Sequence, residues 1–256
     1  MSTAYYSLVA EGVFNQGEDP SEILSPTHYY VRFLPEDSTE FNGLVDDESL
    51  ELFDYPLDYE ILHEGLYYHD NSIPEENCTW LYTVVPINYS FSDLNYEILD
   101  NCIIPTEENP FYYYHDKMEE KSCQLFQSNL MDTLELKASK KKYPSGIIKV
   151  RNDAPLLTGL QGLKGVKIRT HNIVKIATAY TNSSGGYAIS TGYYVKNVHY
   201  SVNFENILGF KIWGNLACIL PAYYNKGWKS SQGCSFNFET SSVGWKWSAT
   251  NNATYI

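Results

Sequence analysis

Six histidines, five cysteines and 31 carboxylates are the side chains of this 256-residue sequence best suited to bind metal or move protons. The histidines stand at 28, 63, 69, 115, 171 and 199, and only His63 and His69, followed by Asp70, lie close together. A separation of six does not place two side chains on one helical face, and no H-E-x-x-H follows. The pair reads as a turn with exposed imidazoles. The cysteines at 78, 102, 123, 218 and 234 form no C-x-x-C, which argues against zinc ribbons and thioredoxin chemistry. Their odd number leaves at least one thiol unpaired. Acidic runs such as Asp46-Asp47-Glu48 and Glu107-Glu108 read as solvated faces, because catalytic carboxylates pair in space rather than along the chain. The calcium-loop spacing is absent, leaving Asp70, Asn71, Glu75 and Glu76 as a weaker calcium alternative. Ser183-Ser184 and Ser230-Ser231 lack the strand–serine–helix elbow of a hydrolase, and the glycines at 159–162, 185–186 and 227 fit no phosphate loop. No catalytic residue, metal ligand or cofactor is assigned on these grounds.

Aromatic residues carry the one binding reading. Tyrosine is abundant, at 23 residues against 11 Phe and 5 Trp, which suits half-buried strands where the ring packs and the hydroxyl stays wet. Residues 205–256 mix aromatics with Gly, Ser and Asn, and Trp213, Trp228, Trp245 and Trp247 are the candidate ligand-binding residues, as a stacking platform for sugar rings. The competing reading is that Phe236-x-Phe238 and Trp245-x-Trp247 line one face of a strand and pack into a core.

Charge divides the chain. The first 135 residues hold 28 Asp and Glu against Arg32, Lys117 and Lys121, a net of −25; the remainder holds 15 Lys and Arg against Asp153, Glu205 and Glu239, a net of +12. Such asymmetry suggests two domains, and either a polyanion partner or two halves that face each other. Nucleic acid is disfavoured, since the acidic half would repel it and no nucleic-acid motif is present. Lys140-Lys141-Lys142 before Pro144-Ser145-Gly146 marks a linker. The expected organisation is an acidic α+β domain over 1–140, a β-sandwich over 141–213 and an aromatic-rich β extension over 214–256 that could open a further domain. No run of 18 apolar residues exists, so no transmembrane segment is expected, and the N-terminus shows no signal-peptide pattern.

The elements that would position these residues follow from periodicity. Residues 27–34 and 79–89 read as strands, the far end of the second demoted to an edge by Pro86. Residues 41–52 suit a short helix or loop, and 116–136 a helix with an apolar stripe through Met118, Leu125 and Phe126. Beyond 145 the texture becomes short strands at 146–150, 165–169, 173–181, 187–189 and 198–204. Val166-Lys167-Ile168-Arg169 alternates apolar and basic, and Asn182 to Gly186 forms a turn that needs positive φ. Strands so spaced suggest a sandwich burying one face of each.

That order, with Leu163-x-Gly165-Val166-x-Ile168, then Ala179-Tyr180-Thr181-Asn182, then Gly185 or Gly186 and Tyr187, resembles the carboxypeptidase-regulatory-like family, a transthyretin-like β-sandwich. Asn182 stands where that family usually has Asp, and the turn is one residue longer. The resemblance implies an accessory module, mainly β, with no catalytic role of its own. A second resemblance covers nearly the whole chain. It rests on Tyr30-Val31-Arg32-Phe33, Leu52-Phe53-Asp54-Tyr55-Pro56-Leu57-Asp58-Tyr59-Glu60, Tyr67-Tyr68-His69-Asp70, Val84-Val85-Pro86 and the run from Trp245 to Tyr255. These are similar to an uncharacterised secreted or lipoprotein-type family of Gram-negative gut bacteria. Longer members carry a zinc-metalloprotease-like domain with an H-E-x-x-H segment, which this chain does not contain. The resemblance implies a secreted or cell-envelope location with the signal segment outside this sequence, and a protein or glycan ligand. The alternative is the amino-terminal part of a metalloprotease-like hydrolase, partnered by its own C-terminal catalytic domain.

Overall fold

The computed structural model describes residues 1–15, 19–61, 64, 68, 70–74, 77–91, 94–130, 140–151, 159–213 and 218–238, without the side chains of 127–130. It is mainly β, with several antiparallel sheets. In the acidic half, helices α1 (Ser2–Ala10) and α2 (Pro20–Ile23) precede β1 (His28–Phe33), α3 (Ser38–Asp46), β2 (Leu81–Pro86), β3 (Tyr96–Cys102) and α4 (Tyr112–Leu130). The β-branched and aromatic run of β1 makes it the central strand, flanked antiparallel by β2 and β3. Asp37 caps α3, its carboxylate accepting from the amides of Thr39 and Glu40. The long helix begins earlier than periodicity suggests. Asn109 Oδ1 accepts from Phe111 N at 2.8 Å, a turn that launches the helix before its acidic stretch. Met118 is buried against Ala4, Tyr5, Leu8 and Ile23, whereas Phe126, expected on the same stripe, is 68% exposed. The last residues of the expected helix, 131–136, lie outside the described residues.

The basic half contributes β4 (Ser145–Arg151), β5 (Leu160–Gly162), β6 (Val166–Asn172), β7 (Lys175–Tyr180), β8 (Gly186–Ala188), β9 (Asn197–Asn206), β10 (Tyr223–Ser230) and β11 (Phe236–Phe238). One sheet runs β10-β9-β6-β7, and the other runs β11-β4-β5 with β8 paired to β4. All these pairings are antiparallel except β11 with β4, which is parallel. Ile148 and Val150 of β4 share a core with Ile168 of β6, Tyr200 and Val202 of β9, and Phe236 and Phe238 of β11. Strands β10 and β11, drawn from the aromatic-rich segment after 213, are thus paired into the same two sheets as the strands before it. Phe236 and Phe238 are core residues, as their alternation suggests.

The turn before β8 shows why Asn182 and Gly185 stand where they do. Asn182 Oδ1 accepts from Ser184 N, Ser184 Oγ and Gly186 N, at 2.8 to 3.0 Å. Gly185 has φ +79°, and a Cβ there would sit 2.2 Å from the Ile148 carbonyl oxygen. Only glycine fits. The β6–β7 hairpin differs from expectation: Ile173, read as the start of a strand, is in the turn with φ 49°, a rare conformation for a β-branched residue.

The two halves meet over a broad junction. The disulfide Cys78–Cys218 links them across 140 residues of sequence. Leu220 packs with Val31 and Phe33, and Tyr223 with Phe53 and Tyr55.

Candidate functional site

Register places three rows of side chains on one face of the β10-β9-β6-β7 sheet. The first row is Ile176, His171, His199 and Trp228; the second is Thr178, Arg169, Ser201 and Asn225; the third is Tyr180, Lys167, Asn203 and Tyr223. The opposite face, with Ile168, Tyr200 and Val202, is the apolar core described above. The alternation that reads as half-buried strands therefore holds, but the polar face is not solvated. His171, His199, Arg169 and Ser201 are at most 2% exposed, because the segment after Leu50 lies across them.

That cover is ionic as well as apolar. Arg169 donates from Nη1 to Leu52 O at 2.6 Å and stacks over Phe53, its Cζ 3.6 Å from the ring centroid. Lys167 Nζ meets Glu51 at 2.5 Å, Lys175 meets Glu119 at 2.7 Å, and Lys141 meets Asp116 at 2.5 Å. Lys226 and Lys229 both reach Glu64. The opposed net charges of the two halves are thus matched across their own junction, leaving less of the basic charge for an external polyanion. Tyr223 donates to Asp54 Oδ1 at 2.5 Å. Burial raises the pKa of Asp54 despite that bond and nearby Arg169.

Where the cover ends, the same face opens into a cleft of about 610 Å³. Lys167, Arg169, Tyr180, Asn203 and Tyr223 line its floor, and Asp46, Glu48 and Glu51 its acidic wall. Beside it the chain after β9 exposes Ile207 at 69%, Leu208 at 77%, Phe210 at 61% and Trp213 at 46%. Lys211 Nζ lies 5.9 Å from the Trp213 ring centroid and donates to Val45 O at 3.3 Å, tying this lip to the acidic half. A second groove, of about 730 Å³ between Pro26, Pro86, Pro110 and Phe111, carries His28 and His115. Desolvation lowers the pKa of both imidazoles.

Of the four tryptophans expected to bind ligand, Trp213 and Trp228 are among the described residues. Trp213 is exposed on the lip. Trp228 is half-buried and packs T-shaped against His171 and His199, each 5.9 Å away between centroids, within the junction. Trp245 and Trp247 lie outside the described residues, as do His63, His69, Glu75 and Glu76. Asp70, from the weaker calcium alternative, accepts from Ser72 N and Oγ at 3.0 and 2.6 Å. No group of three or more His, Cys, Asp or Glu side chains among the described residues is arranged to hold a metal ion. Burial pushes the thiols of Cys102 and Cys123 up to about 11, so neither presents a thiolate near neutrality.

His171, His199, Arg169 and Asp54 are functional candidates that spacing along the chain does not reveal. A signal was present in the polar positions at 167, 169 and 171 and at 199, 201 and 203. It shows two polar strand faces, not that they are neighbours.

No family model matches the chain, and no curated protein does. Among solved structures, a 9R-lipoxygenase from Cyanothece is similar over 52% of this chain and 21% of that chain, at 10% identity and a TM-score of 0.19. A score so low carries no argument about fold or activity.

Proposed function

We propose that this chain is a non-catalytic accessory or binding module of a secreted or cell-envelope protein, and that its ligand, a protein segment, seats in the cleft between the two halves. The observation that carries the reading is the apolar lip beside an acidic wall. Ile207 and Leu208 expose apolar side chains in the cleft that Asp46 and Glu48 line, while Lys167, Arg169 and Lys211 are occupied by partners inside the chain. A clustered apolar patch rimmed by charge is the signature of a recognition surface. It favours a ligand with an apolar anchor and Lys or Arg beside it. The disulfide between Cys78 and Cys218 supports an oxidising compartment. The carboxypeptidase-regulatory-like, transthyretin-like sandwich remains part of this reading. Its support is the shared core of the two sheets and the Asn182–Gly185 turn at the position where that resemblance requires one.

Selection from a displayed random-peptide library tests the proposal, with Leu208→Glu and Trp213→Ala as controls. Enrichment of basic-apolar sequences that is lost in Leu208→Glu supports it; failure to enrich, or enrichment that ignores both substitutions, sinks it. Glycan is the second reading, favoured by the exposed Trp213 ring. Binding on a glycan array that disappears in Trp213→Ala but survives in Leu208→Glu would move the assignment there.

A further inference from the structure

His171 and His199 are a cross-strand pair on β6 and β9, and their rings stack with centroids 4.6 Å apart and planes 26° from parallel. They are enclosed by Phe53 at 5.0 Å and Tyr55 at 5.7 Å from the acidic half, and by Trp228 at 5.9 Å from β10. Exposure is 1% and 0%, and none of the four ring nitrogens has a hydrogen-bond partner among the described residues. Phenylalanine would fill this aromatic box without burying four orphaned polar atoms, a desolvation cost that selects against histidine in a purely structural role. What histidine adds is a proton site at the junction. We infer that the pair is an acid-sensitive clasp: protonating either ring expels it from the box and loosens the segment around Phe53 and Tyr55 from the sheet.

The charges around the pair favour that outcome. Arg169 on β6 disfavours a positive charge on either ring. Asp54, a carboxylate on the covering segment, accepts from Tyr223, and burial holds its pKa up. Glu51 is engaged by Lys167, and β9 brings Ser201, Asn203 and Glu205 to this face, Glu205 lying 4.0 Å from the same Lys167. The Lys175–Glu119 pair from β7 to α4 is closed on itself, as are the pairs of Lys226 and Lys229 on β10 with Glu64. Burial and Arg169 hold His199 down to about 3 and His171 well below 6.5. Each ring is neutral in the closed junction and takes up a proton in the open one. The stability the pair contributes is therefore present above pH 6.5 and is lost as pH falls below it. The opening equilibrium rises by up to about tenfold per pH unit for each ring. This inference does not depend on what the cleft binds.

The test is hydrogen exchange by mass spectrometry on the full chain at pH 7.5 and 5.5, with rates corrected for intrinsic pH dependence, on wild type and His171→Phe/His199→Phe. Wild type is expected to lose protection at acid pH around residues 50–57 and in β6 and β10, by roughly tenfold or more in the opening constant. The β2-β1-β3 sheet keeps its protection. The double variant is expected to retain junction protection at pH 5.5, with only a small global change from His28 and His115. Junction opening that is unchanged in the double variant, uniform loosening of the whole chain, or no loosening at all overturns the inference. If the double variant does not fold, His199→Phe alone serves, with roughly half the logarithmic effect expected and an unaltered acid response overturning it.

Discussion

The guanidinium of Arg169 lies 3.6 Å over the ring of Phe53, and its Nη1 donates to the carbonyl of Leu52 at 2.6 Å, so one β6 side chain fastens the basic half to the acidic half twice. A cation 2% exposed is tolerated because both its charge and its donors are answered. Arg169→Ala leaves the Leu52 carbonyl unanswered and opens a void, and is expected to cost roughly 3–5 kcal/mol in urea unfolding. Arg169→Lys keeps the charge but not the planar stack, and is expected to recover only part of that loss. A variant as stable as wild type would show that the stack contributes nothing.

Asp54 gives a pH dependence of the opposite sense to the histidines. Its folded pKa is raised above the usual 3.8, so its stabilising contribution is present below that value and is lost as pH rises through the folded pKa. Asp54→Asn retains an acceptor for Tyr223 and removes the buried charge. Relative to wild type, the variant is expected to gain stability as pH rises above 3.8. Parallel stability–pH curves for the two proteins would refute this.

Reduction of the junction disulfide is expected to act mainly through the unfolded chain. Cys78 and Cys218 are 140 residues apart, and opening so long a loop is expected to cost about 2–5 kcal/mol. Paired measurements with and without reductant, and with Cys218→Ser, check it; the serine variant should be insensitive to reductant.

Ile173 supplies a stabilising substitution. At φ 49° and 45% exposed, it is strained without compensating burial. Ile173→Gly is expected to raise stability by about 0.5–1 kcal/mol, seen as an upward shift in the thermal midpoint.

Gly185→Ala is expected to do the reverse. The added methyl would meet the Ile148 carbonyl at 2.2 Å with φ at +79°, so the turn must move and β4 and β8 with it. A loss above roughly 2 kcal/mol is expected in urea unfolding, and a near-neutral result would mean the turn yields without disturbing the sheets.

By itself the sequence determined the local facts. Alternation in Val166–Arg169 and the aromatic, β-branched texture of residues 28–33 and 81–86 specified strands, because side-chain period is a local property of the backbone. Asn182 and Gly185 specified a turn for the same reason. The charge asymmetry showed that two halves exist, and allowed that they face each other. Only the tertiary structure decided the rest. It laid the polar face of β6 and β9 beneath Phe53 and Tyr55 rather than in water, and it turned two widely separated histidines into one stacked pair. Neither could be read along the chain, since His171 and His199 become neighbours through strand register and dry through a segment more than 100 residues away. It also gave two tryptophans different surroundings, leaving Trp213 exposed on a lip and Trp228 half-buried against the imidazoles. Burial belongs to the assembled molecule, and at this site burial determines what each side chain can do.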